Sequence, residues 1–145
     1  MISVVYDNQE YLKQWASQNL GYINFEPAQA IGFVKDNKLI CVVVYNNYRD
    51  APIKKIPISI EISIYSIDKS WCNRHSLYVI SAYPFIQLKV KRVQATVAKN
   101  NKHTRTFLEK SGFKLEGCQR KGWVFGGDAM VYSMLKSECR WLKCH

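Results

Sequence analysis

The sequence predicts a mixed α/β domain (α+β) with one central sheet and flanking helices. Three observations point there. Runs of β-branched or alternating residues are interleaved with runs of helical spacing. Glycines stand where the helical runs stop. The chain has 145 residues, 48% of them hydrophobic, enough for one core and too few for two ordinary domains. Residues 1–145 are therefore expected to form a single domain.

Residues 2–6 are apolar and β-branched, a short first strand. Asp7 or Asn8 can cap the helix that follows, where Tyr11, Leu12, Trp15 and Leu20 recur at helical spacing and Gly21 stops it. Residues 30–34 and 39–45 flank Lys35, Asp36, Asn37 and Lys38, which predicts a hairpin. Residues 52–57 are a loop. In 58–67, Ile58, Ile60, Ile62 and Ile64 take one side of a strand, and Ser59, Glu61, Ser63 and Tyr65 the other. Residues 73–88 show helical periodicity through Leu77, Ile80 and Phe85, with Pro84 kinking or ending the regular part. Residues 92–98 form a strand, 104–111 a short helix closed by Gly112, and 113–142 two strands joined by a Gly126-Gly127-Asp128 turn, then a tail. The expected order is β-α-β-β-β-α-β-α-β-β.

The net charge of +10 is the compositional outlier. Such a field attracts polyanions, both nucleic acid and the phosphates of a nucleotide cofactor. Ten of the basic residues precede Arg92 and eleven lie from Arg92 onward, so there is no basic tail. No apolar run approaches the roughly 18–20 residues that span a bilayer, and the N-terminus lacks the pattern of a secretory signal. The five cysteines (41, 72, 118, 139 and 144) are scattered with no CxxC pair, so neither a disulfide framework nor a metal site is expected. A reducing cytoplasmic setting is the simplest reading.

The chemistry-bearing signal lies in the last third. A strand over 92–98 runs into Asn101, a short helix follows, and Gly112-Phe113 closes it, with Glu116-Gly117 four residues on. Arg120, Asp128, Tyr132 and Met134 continue the pattern. This stretch resembles the back half of the GNAT superfamily of N-acetyltransferases, most closely its ribosomal-protein and amino-terminal branch. The match covers about fifty residues closely and the strand order of the whole chain loosely. The resemblance implies a GNAT-like fold, with a central mixed sheet splayed between strands 58–67 and 92–98. It also implies an acetyl-CoA donor and a primary amine acceptor, a protein or peptide amine first and a small-molecule amine second. The chain would act as a monomer or homodimer. The largest departure is at the pyrophosphate loop, usually glycine-rich in the family. Here residues 68–75 contain no glycine, although a helix starting near Asn73 offers N–H groups and a positive end, and Lys69, Arg74 and His75 add cationic character. The run Trp71-Cys72-Asn73-Arg74 resembles a variant seen in small phage and prophage members.

Carried over residue by residue, the resemblance assigns cofactor contacts to Ser66, Ile67, Lys69, Trp71, Cys72, Asn73, Arg74, His75, Asn101 and Thr104. The oxyanion donor would be a backbone N–H near 65–67. The expected base is Glu61, a lone carboxylate on the polar side of an apolar strand; its plainer reading is a solvent-facing glutamate, or one paired with a lysine. Trp71 also reads as packing beneath the loop, Asn101 as a strand-end turn residue, and Thr104 as a helix residue without a ligand. The family's frequent acid, a tyrosine four residues before the Gly of Gly-Phe, is Leu108 here. The thiolate then leaves unassisted, as its pKa of about 8.5 permits, or Tyr65 or Tyr132 substitutes. An acyl group carried on Cys72 is a remote alternative, and His103 and His145 read as surface residues. A different class of function fits the same charge: a catalytically weak GNAT-fold module binding nucleic acid or a host protein.

Overall fold

The computed structural model describes residues 1–21 and 23–143; Cys144 and His145 lie outside the described residues. Seven strands, β1 (Ile2–Val5), β2 (Ala28–Lys35), β3 (Lys38–Asp50), β4 (Pro57–Ser66), β5 (Arg92–Ala98), β6 (Lys114–Gln119) and β7 (Ala129–Leu135), form one sheet. Their order is β1-β2-β3-β4-β5-β7-β6. Every neighbouring pair is antiparallel except β4–β5, which is parallel. Helix α1 (Gln9–Asn19) covers one face; α2 (Arg74–Ala82) and α3 (Lys102–Ser111) cover the other.

The β2–β3 hairpin turns on Asp36 and Asn37, whose φ values of 51° and 62° make the two-residue turn that matches strand twist. β3 runs five residues beyond the expected 45, with a register break between Asn46 and Arg49. The predicted cap of α1 is corrected: Asn8 holds the N-cap position in a left-handed conformation, with no side-chain cap bond. Gln9 bonds there instead, its Nε2 donating to the Ala30 carbonyl and its Oε1 accepting from the Ala30 N–H, both at 2.8 Å, so the helix start is tied to β2. The predicted break at Pro84 becomes a change of pitch, with α2 running on as a π-turn over Tyr83–Gln87.

Two cores result. Between sheet and α1 lie Leu12, Ala16, Phe25, Ala30, Val42 and Val44. Gly32 permits that contact: a β-carbon there would sit 2.7 Å from Leu12 Cδ2. On the other face the isoleucine side of β4 meets α2, with Val93, Ala95, Val97, Met130, Tyr132 and Met134 continuing the layer. Buried Tyr45 satisfies its hydroxyl by donating to the Ile80 carbonyl at 2.7 Å, which pins α2 to β3. Gly112, at φ 104°, ends α3, and the Phe113 N–H reaches back to the Leu108 carbonyl at 2.9 Å.

Candidate active site

The site is built on the parallel pair. β4 and β5 pair only at Ser59–Arg92, Ile60–Val93 and Glu61–Gln94. Beyond that rung β4 runs to Ser66 and β5 to Ala98 without meeting, so the two strands open into a V. Strand alternation decides which groups line it. The Ile58 carbonyl accepts from Lys91 N–H, toward β5, whereas the Ile67 N–H donates to the Ile40 carbonyl, toward β3. Ile64 and Ser66 share the phase of Ile58, so their N–H and C=O groups face the V. Within the window expected for the oxyanion donor, Ser66 keeps its N–H toward the opening and Ile67 does not.

Above the V, the loop from Asp68 to Asn73 is held by its own side chains. Asp68 accepts from the Ser70 N–H at 2.8 Å and the Ser70 hydroxyl at 2.7 Å, which holds its carboxyl below the usual range, with Lys35 3.7 Å away. Asn73 caps α2: its Oδ1 accepts from Ser76 N–H, and the Ser76 hydroxyl oxygen accepts from Asn73 N–H, each at 2.9 Å. Buried Ser76 also donates to the Trp71 carbonyl at 2.5 Å. Trp71 packs beneath the loop, with ring centroids 5.8 Å from Phe33 and 6.0 Å from Phe107. The first turn of α2 presents N–H groups that no helix carbonyl reaches, and Lys69, Arg74 and His75 are exposed around it. Burial pushes the Cys72 thiol up, which disfavours the thiolate that an acyl carrier needs.

Across the V, exposed Asn101 caps α3, its Oδ1 accepting from Thr104 N–H at 3.2 Å. That bond engages the oxygen end of the amide. Thr104 is half-buried and His103 exposed.

On the α1 face, half-buried Glu61 sits on the last rung, and its Oε1 accepts from Asn47 Nδ2 at 3.1 Å. Asn46, paired with Glu61 across β3–β4, has a buried Oδ1 without a hydrogen-bond partner among the described residues. Sequence reasoning missed Asn46 and Asn47: Asn46 stands opposite Glu61 in the regular register, and Asn47 bonds to the carboxylate at the register break that follows, which nothing in the sequence announces. Tyr65 stands on the same face, edge-on to Trp15 at 5.6 Å. Tyr132 is elsewhere: fully buried under α3, it accepts from Arg105 Nε at 2.9 Å and donates to Glu109 Oε2 at 3.0 Å. Glu116 falls in a bulge of β6, and its carboxylate grips the Arg92 guanidinium at 2.7 and 3.1 Å.

Between α2, α3 and the sheet, a hollow of about 40 Å³ reaches the apex of the V. Ile62, Ile64 and Val93 form its sheet wall, and Leu108 lines it where the family's acid would stand. Among the described residues no group of acidic, histidine and cysteine side chains could hold a metal ion. No described helix is long and apolar enough to cross a membrane.

The same architecture recurs in solved structures. A GNAT-family acetyltransferase from Streptococcus pneumoniae superposes with a TM-score of 0.70 at 13% identity, over 93% of this chain and 99% of its own. A variant of the spermidine N-acetyltransferase of Vibrio cholerae gives 0.73 at 17%, over 97% and 96%. The ribosomal-protein-S5-alanine acetyltransferase of Vibrio fischeri gives 0.61 at 21%, over 91% and 73%. No protein-family model matches the sequence, and no curated protein matches it. The chain has the GNAT acetyltransferase fold, splayed parallel pair included.

Proposed function

We propose that the chain is an acyl-CoA-dependent N-acyltransferase that uses acetyl-CoA to acylate a primary amine, in the cytoplasm. One observation carries this reading: the β4–β5 ladder stops at Glu61–Gln94, leaving the inward N–H and C=O groups of Ile64 and Ser66 without a strand partner, directly below a cation-flanked helix start. A pantetheine arm, with amides spaced along an extended chain, supplies the missing partners. Lys69, Arg74 and the first turn of α2 suit a diphosphate, and Asn101 and Thr104 border the other wall. The thioester supplies an activated acyl group.

Glu61 takes the proton of the attacking amine, with Asn47 fixing the carboxylate's orientation. The buried Oδ1 of Asn46 lacks only a donor, and an amine N–H is one. The inward N–H groups of β4 meet the charge that develops on the carbonyl oxygen. Tyr65, on the open stretch of β4, is the tyrosine nearer in sequence to the thioester's expected place and returns a proton to the thiolate. The first choice of acceptor is a protein or peptide amine, on the similarity of residues 92–134 to amino-terminal acetyltransferases. The likeness to a spermidine acetylase keeps polyamines in the acceptor screen.

Thermal unfolding with and without acetyl-CoA tests the reading. Ligand at a hundred times Kd adds about 2.7 kcal/mol, and each kcal/mol raises Tm by roughly 2–4 °C in a domain of this size. A rise of several degrees that Lys69→Glu with Arg74→Glu abolishes supports a donor site at this loop. No shift at millimolar acetyl-CoA refutes it.

A further inference from the structure

The hollow below the V has no occupant among the protein's own side chains. Its lining is carbon apart from Ser81 and Ser111, and Trp141 adds only ring carbon, because its indole N–H donates to the Ser111 carbonyl at 3.0 Å. A space of about 40 Å³ has room for about three water-sized groups, yet it offers water too few partners to hold it. The position matters more than the size. Ile62 and Ile64 are the first two residues on the isoleucine side of β4 beyond its last rung with β5, so the hollow lies against the stretch where the V opens. Leu108 opens this path: a tyrosine there would project its ring and hydroxyl toward the same space.

We propose that the hollow receives the hydrocarbon tail of the donor, and that the chain prefers acyl thioesters of about four carbons to acetyl. The proposal rests on the donor site described above and deepens it. Two additional methylenes fit the space of about 40 Å³, and a chain of eight carbons exceeds it. Each methylene removed from water strengthens binding about fourfold, the equivalent of ~0.8 kcal/mol.

The test is a chain-length series on the full protein, with free CoA, acetyl-CoA, butyryl-CoA and octanoyl-CoA compared by calorimetric Kd and by rate of transfer to an amine. Butyryl-CoA is expected to bind about tenfold more tightly than acetyl-CoA, with the gain lost at octanoyl. Ser81→Leu, which fills the hollow from α2, is expected to cut the butyryl-to-acetyl ratio at least tenfold while free CoA still binds. Butyryl-CoA binding no better than acetyl-CoA overturns the proposal and leaves the donor site standing, as does a Ser81→Leu variant that weakens all thioesters equally. Failure of free CoA to bind overturns both. The wild-type series decides the matter alone if the variant does not fold.

Discussion

Glu61 and Gln94 face one another across the last rung of the only parallel pair in the described sheet. Their neighbours hold them differently: Glu61 accepts from Asn47, while Gln94 Oε1 accepts from Arg92 Nη2 at 3.1 Å. Glu61 thus stands on the rung where the strands part.

If Glu61 is the base, Glu61→Gln removes the proton sink and keeps the shape. Turnover with an amine should fall by about 10²–10⁴-fold near neutral pH, with the thermal shift from CoA preserved. Steady-state rates alongside thermal unfolding check both halves. Loss of the CoA shift as well would instead make Glu61 a structural residue of the V.

The two tyrosines separate by the same logic. Tyr132→Phe leaves Arg105 and Glu109 without their shared hydroxyl, so it should lower stability by about 1 kcal/mol and leave turnover within a few-fold of wild type. Tyr65→Phe should do the reverse, slowing turnover with little change in Tm. Paired measurements of kcat and Tm on both variants distinguish the roles, and a large kcat loss in Tyr132→Phe would place it in the chemistry.

Ser76 is the keystone of the loop, bonded to Asn73 in both directions and to the Trp71 carbonyl. Ser76→Ala should cost about 1–2 kcal/mol and lower Tm by roughly 3–6 °C. CoA affinity should fall with it, since the same bonds set the start of α2. Denaturant unfolding and calorimetric Kd values measure the two effects.

Arg92 and Glu116 give a pH signature. The Arg92 guanidinium holds the Glu116 carboxyl below the usual carboxylate range. The folded chain therefore binds this proton less readily than the unfolded one, whose value is about 4.3. The pair stabilises above that value and stops doing so as the pH falls through the lowered folded value. Being partly exposed, it is worth less than about 1 kcal/mol. Arg92→Ala should thus be slightly destabilised at pH 7, and its deficit against wild type should close as the pH drops below about 4. Urea midpoints at a series of pH values follow it.

Much of this architecture was legible because local signals and tertiary demands agree. The isoleucine alternation of β4, the stop at Gly112 and the Asp36-Asn37 turn each have one physical reading. The start of α2 near Asn73 was legible from helical periodicity, while the Ser76 half of its capping box emerged only in the structure. What stayed hidden depends on pairing. Nothing near Asn46 signals the register break at which Asn47 bonds to Glu61. Tyr132 was a candidate for the missing acid, and its partners, Arg105 and Glu109, lie on another element. Glu116-Gly117 carried the family resemblance, yet its role here is a bulge and an ion pair. Asn8 looked like a cap by residue type, but the backbone turned left-handed and Gln9 made the long-range bonds.

The glycine-free loop is stitched by Asp68–Ser70, by Ser76 to Trp71 and Asn73, and by the Trp71 ring lodged against Phe33 and Phe107. A glycine-rich loop is free to mould itself around a diphosphate and loses that freedom on binding. This one is rigid beforehand, so capture of a phosphate should carry little ordering penalty. If it holds a diphosphate, the same bonds should leave it less able to adapt to a misplaced phosphate than a glycine-rich loop. Were the loop to hold a donor, discrimination between nucleotide thioesters and truncated pantetheine analogues would rest on preset geometry, much as a socket selects its plug.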